Sequence, residues 1–155
     1  MKQPRQPNGK KMHEVQVVYK RPVLEEMPKI KTSKDVDVLM RQIINLDTLD
    51  YAERFYTLFC LSNNNNVLAY AEIGVGDCTS VTVHTKMVFQ IALLSHATGI
   101  IIIHNHPSGI LKASEQDKVL TQKIKEMGIL FGIKLLDSVI ISSEGYYSFA
   151  DEGLL

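Results

Sequence analysis

Cysteine is scarce in this chain, and charge of either sign is not in surplus. The two cysteines, Cys60 and Cys78, are too few for a disulfide framework and too far apart for a thiolate metal site or a redox pair, so a reducing cytoplasm is the expected compartment. Seventeen basic side chains face seventeen acidic ones, and a net charge of zero is not the profile of a dedicated nucleic-acid binder. No apolar run approaches the length of a membrane span, and the N-terminus has no hydrophobic core of the signal-peptide kind. No internal repeat is present. What remains is the composition of an ordinary globular domain, 45% hydrophobic and 155 residues long, enough for one core and too little for two.

Residues 1–29 read as an arm and linker, and residues 30–155 as the domain. The first thirteen positions are polar, broken by Pro4, Pro7 and Gly9, and carry Lys2, Arg5, Lys10 and Lys11; a loose, solvated terminus is expected. Val15, Val17 and Tyr19 alternate as in a short edge strand before Pro22 and Pro28. Ser33 reads as the N-cap of a first helix with Val36, Leu39, Met40 and Ile43 at helical spacing, ending near Leu46. A hairpin follows: an apolar run over 55–61, four asparagines at 63–66 that tolerate a left-handed backbone, and a return over 67–73. A turn at 74–77 and a brief strand over 80–83 lead to a second helix with Met87, Val88, Ile91 and Leu94 inward, stopped by Gly99.

The four isoleucines at 100–103 predict a strand covered on both faces and therefore central in its sheet. A third helix opens at Ser114, buries Leu120, Ile124 and Met127, and ends at Gly128; strands over 133–142 and 146–149 flank a turn at Glu144-Gly145. The sum is an α/β fold, a mixed sheet with helices packed on it.

The chemistry lies between the central strand and the third helix. His104 and His106 alternate along the strand end, so both imidazoles point to one side. Pro107 and Gly109 turn the chain, and the helix begun at Ser114 returns Asp117, in its first turn, over the two rings. Taken singly, each residue has a plainer reading: Ser114 and Asp117 form a capping-box pattern, His104 could be a hydrogen-bonded core residue, and His106 a loop residue. One metal ion explains all three together. Two histidines and a carboxylate suit Zn²⁺ with a fourth position left for water, whose pKa such an ion lowers towards about 7.

From His106 the spacing is H-x-H-x₇-S-x₂-D, the JAMM motif of the JAB/MPN metallo-isopeptidases. The fuller string 104–109 (HNHPSG), with Leu135-Leu136-Asp137 and 147–153 downstream, resembles the RadC branch of that superfamily, in particular its short bacterial forms, from about Ile30 to the end. The resemblance implies a three-layer α/β/α, cytidine-deaminase-like fold. It also implies a glutamate acting as general base towards the activated water, matched here by Glu53 with Glu72 as rival, and an oxyanion donor in Ser114. Three positions depart from the usual RadC pattern: His84-Thr85-Lys86-Met87 replaces His-Pro-Arg-Glu, Leu136-Asp137-Ser138 replaces Leu-Asp-His, and Ala113 replaces proline. The two lost polar side chains predict an altered substrate groove.

Three expectations follow for function. The first is a zinc-dependent hydrolase, a metallopeptidase or isopeptidase, with a peptide or isopeptide substrate. The second, from the family's association with DNA repair and from the basic arm, is a module whose role is DNA or partner binding. The third is an interaction protein in which zinc stabilises the loop. An HNH nuclease is excluded because its residues are not contiguous, and a nucleobase deaminase because H-x-E and P-C-x-x-C are missing. His13, His84 and His96 read as surface or helix-packing residues. Full-length members of the family this chain resembles carry a further N-terminal helical domain, which is not expected within these 155 residues.

Overall fold

The computed structural model describes residues 15, 16, 18, 20, 23–60 and 64–155. The expected arm, His13, and the Val17 and Tyr19 of the expected edge strand lie outside these; Val15 and Val18 are exposed and belong to no strand. The elements in chain order are α1 (Ser33–Ile43), β1 (Arg54–Cys60), β2 (Val67–Val75), α2 (Thr85–Leu94), β3 (Gly99–Asn105), α3 (Glu115–Phe131), β4 (Lys134–Ser142) and β5 (Gly145–Ser148). A short 3₁₀ turn, Leu46–Thr48, connects α1 towards β1.

Five strands form one sheet in the order β2-β1-β3-β4-β5, with β3 and β4 parallel and the other pairs antiparallel. Parallel pairing needs a crossover, which α3 supplies. The isoleucines of β3 explain its central place. Ile101 and Ile103 pack on the α1 side with Val36, Met40, Tyr56 and Leu58, while Ile100 and Ile102 pack on the other side with Phe55, Phe59, Val88, Phe89 and Ile124. Period-two alternation thus feeds two cores from one strand, giving a three-layer α/β/α arrangement with a mixed sheet.

Local chemistry moved several boundaries. Thr32, not Ser33, caps α1: its hydroxyl accepts the Asp35 N–H, and Asp35 accepts the Thr32 N–H at 2.8 Å in return. Ser33 instead reaches across to Asp151 and the Tyr146 hydroxyl. The 80–83 segment is not a strand. It crosses the end of β2, where a Cβ on Gly74 would lie 2.6 Å from the Thr82 carbonyl oxygen and one on Gly76 1.8 Å from that of Ser80, so contact there is with backbone rather than through a ladder. In α2 the buried face is Val88, Phe89 and Ala92 with Ile91 partly covered; Met87 and Leu94 are exposed, and the helix stops before Gly99, which opens β3. Gly128 lies inside α3, not at its end. Helix α3 runs to Phe131 and is closed by Gly132 in the left-handed conformation, φ 67°. In the hairpin turn Asn65 takes φ 49°, as asparagine there permits.

Candidate metal centre

His104 is the penultimate residue of β3, on the same face as Ile100 and Ile102, and its ring lies parallel to that of Phe55 across the β1 pairing, 6.3 Å between centroids. His106 follows the strand, but its N–H still donates to the Ile141 carbonyl at 3.0 Å, so the chain stays extended and both rings project together, 4.9 Å apart. A turn then closes with the Gly109 N–H on the His106 carbonyl (3.0 Å) and Gly109 at φ 79°. That turn brings the Ile110 carbonyl to His106 Nδ1 at 2.8 Å. A carbonyl can only accept, so Nδ1 carries a proton, and a cation displacing the Nε2 proton would find the Nε2 lone pair facing it.

Ser114 caps α3 in a reciprocal box: its hydroxyl accepts the Asp117 N–H (3.1 Å), and Asp117 Oδ2 accepts the Ser114 N–H (2.8 Å). The capping reading and the ligand reading are therefore compatible, because the same box holds the carboxylate over the rings. His104 Nε2 lies 3.0 Å from His106 Nε2 and 3.0 Å from Asp117 Oδ1; His106 Nε2 lies 3.4 Å from Asp117 Oδ2. Tetrahedral ligands bound at about 2.0–2.1 Å are separated by roughly 3.4 Å. The three side chains offer one ligand atom each, all within 4.8 Å of one another, and so fit a single divalent cation. Burial alone would raise the Asp117 carboxyl, but hydrogen bonds from His104 and His106 outweigh it and hold the group well below the usual carboxylate range. The same bond to Asp117 raises His106. Such an anion beside two imidazoles is primed for a cation.

The centre lies in a cavity of about 540 Å³ that Glu53 and Ser114 also line. Burial pushes the Glu53 carboxyl up, against the pull of His104 and His106. Glu72 faces elsewhere: it is exposed, pairs with Arg54 at 2.9 Å, and takes part with burial in pushing the Tyr56 phenol up to about 12. Most of the remaining wall was not read from the sequence. Cys78, Thr79, Ser80, Val81 and Val83 form one side, Lys112, Gln116 and Leu120 another. Close backbone contacts at Gly74 and Gly76 seat the 80–83 segment on the end of the sheet. The expected change in the groove from the two lost polar residues is not supported. Met87 is on the exposed face of α2, and Ser138 is fully buried, taking a hydrogen bond from the Thr121 hydroxyl at 3.1 Å; neither lines the cavity, whereas Ala113 does. His84 and His96 are exposed and outside it.

The sequence profile of the RadC-like JAB domain matches residues 30–154. The chain belongs to that family. Among its relatives are UPF0758 proteins of Flavobacterium johnsoniae, 42% identical over 83% of this chain and 55% of that protein, and of Thermotoga maritima, 38% identical over 68% and 48%. A third, from Methanosarcina barkeri, is 37% identical over 86% of this chain and 56% of its own length. This RadC-like chain thus spans about half the length of the curated relatives it matches. Among the described residues no helix is long and apolar enough to cross a membrane.

Proposed function

We propose that this RadC-like domain is a zinc-dependent hydrolase of amide or isopeptide bonds. The observation that carries the reading is the convergence of His104, His106 and Asp117 on one point inside a cavity that also holds a half-buried glutamate. A zinc ion held there would act as a Lewis acid and make water acidic enough to ionise near neutral pH. Glu53, with its carboxyl raised by burial, accepts a proton from the attacking water and returns it to the leaving nitrogen as the C–N bond breaks, yielding a carboxylate and an amine. The Ser114 hydroxyl accepts the Asp117 N–H and keeps its own proton free to donate to the developing oxyanion, at the positive end of α3. Phe55, Val81, Val83 and Leu120 give the cavity apolar walls beside the bond under attack.

The test is elemental analysis of purified protein alongside turnover of a peptide and isopeptide panel. Near one zinc per chain is expected, none in the His104→Ala, His106→Ala double variant, and a fall of more than about 100-fold in rate for Asp117→Asn with retained fold. Full activity in Asp117→Asn would reject the reading.

A further inference from the structure

Asn105 stands between two of the candidate ligands, yet its side chain points to the opposite face of the sheet. It is 1% exposed and makes three hydrogen bonds. Nδ2 donates to the Leu49 carbonyl (2.8 Å) and to the Ala52 carbonyl (2.9 Å), and Oδ1 accepts the Arg54 N–H (2.7 Å). Two carbonyls and one N–H as partners allow the amide a single orientation.

Two of those bonds bracket Glu53. The peptide unit before it is held at the Ala52 carbonyl by Asn105 and at the Glu53 N–H by the Asp77 carbonyl, 2.7 Å away. The peptide unit after it is held at the Glu53 carbonyl by the Gly76 N–H (2.8 Å) and at the Arg54 N–H by Asn105. Peptide units are planar, so tethering both ends of both planes restrains the φ and ψ of Glu53 and leaves its side-chain torsions as the main freedom.

Resting on the hydrolase reading above, we propose that Asn105 is a positioning residue: it ties the backbone of Glu53 to the strand that carries His104, so that base and ligands keep one geometry. A proton acceptor must be held within about half an ångström of its working position, and a loop residue lacks that precision unless a rigid element supplies it. The fully buried strand β3 is that element. The chemistry required is narrow. An aspartate at 105 would lose both donors and set a carboxylate against two carbonyls, and an alanine would orphan three backbone groups. Strand alternation lets adjacent positions serve the two tasks, His104 facing the cavity and Asn105 facing the segment that bears the base.

The experiment compares wild type with Asn105→Ala and the nearly isosteric Asn105→Asp. It measures amide exchange, zinc affinity by competition with a chromophoric chelator, and turnover of a peptide panel. In both variants exchange across residues 49–54 is expected to quicken by about tenfold or more while α3 and β3 keep their protection, and the zinc dissociation constant is expected to stay within about threefold of wild type. On any peptide cleaved, kcat falls to the level of Glu53→Gln with KM unchanged, and adding Glu53→Gln to Asn105→Ala slows the reaction no further. Undiminished protection of 49–54 would overturn the proposal, as would loss of zinc affinity together with that protection, or multiplicative rates in the double variant. A wild type that binds zinc and cleaves no peptide overturns the hydrolase reading alone; exchange and zinc affinity then decide whether Asn105 holds the Glu53 segment apart from the ligands.

Discussion

One carbonyl decides which nitrogen of His106 is available. The Ile110 oxygen accepts the Nδ1–H, so Nε2 is the nitrogen turned towards His104 and Asp117. A sequence can present the histidine, but the tautomer depends on where a turn four residues later puts its oxygen. Thr57 shows the converse, a polar atom with nothing to bind. It is fully buried in β1, and among the described residues its hydroxyl has no hydrogen-bond partner. Thr57→Val keeps the shape and removes the unpaired group, so urea denaturation is expected to show a gain of about 1–2 kcal/mol. A loss would mean that the hydroxyl is satisfied in solution.

At the scale of elements, capping and close approach set boundaries that periodicity leaves loose. Thr32-x-x-Asp35 and Ser114-x-x-Asp117 are equivalent boxes on α1 and α3, but only the second stands over a pair of imidazoles. The sequence pattern puts the cap of α1 at Ser33, and hydrogen bonding to Asp35 selects the preceding threonine instead. Gly128 misled because glycine near a helix end is ordinarily a terminator. Here it is needed for proximity: a Cβ would lie 2.3 Å from the Ile133 carbonyl oxygen. Gly128→Ala gains about 1 kcal/mol of helix propensity, yet the backbone contact must open, and a net loss of roughly 1–3 kcal/mol is expected by thermal or urea denaturation. A stabilised variant would show that the α3–β4 connection yields easily.

At the scale of the whole molecule, a metal held by β3 and α3 joins two elements that an unfolded chain leaves far less ordered. On the proposed zinc site, zinc would act on stability through the folded state. At 100 times its dissociation constant it would add about 2.7 kcal/mol, which for a domain of this size raises Tm by roughly 5–10 °C. Differential scanning fluorimetry with and without zinc is expected to show that rise, and to show none for the His104→Ala, His106→Ala double variant. An equal rise in the variant would place the zinc elsewhere. The convergence of His104, His106 and Asp117 was legible in the sequence because it is local: fourteen residues contain a strand end, a two-breaker turn and a capped helix start, and each obeys short-range rules. The central strand was legible too, since four consecutive isoleucines have no solvent face to spare. What only the tertiary structure decided comes from chain far away in sequence: Glu53 in the cavity, residues 78–83 as its wall, and Asn105 bonded to residues about fifty positions earlier. Hydrophobic periodicity says which face of an element is buried and not which partner buries it, so those contacts follow only once the strands have paired.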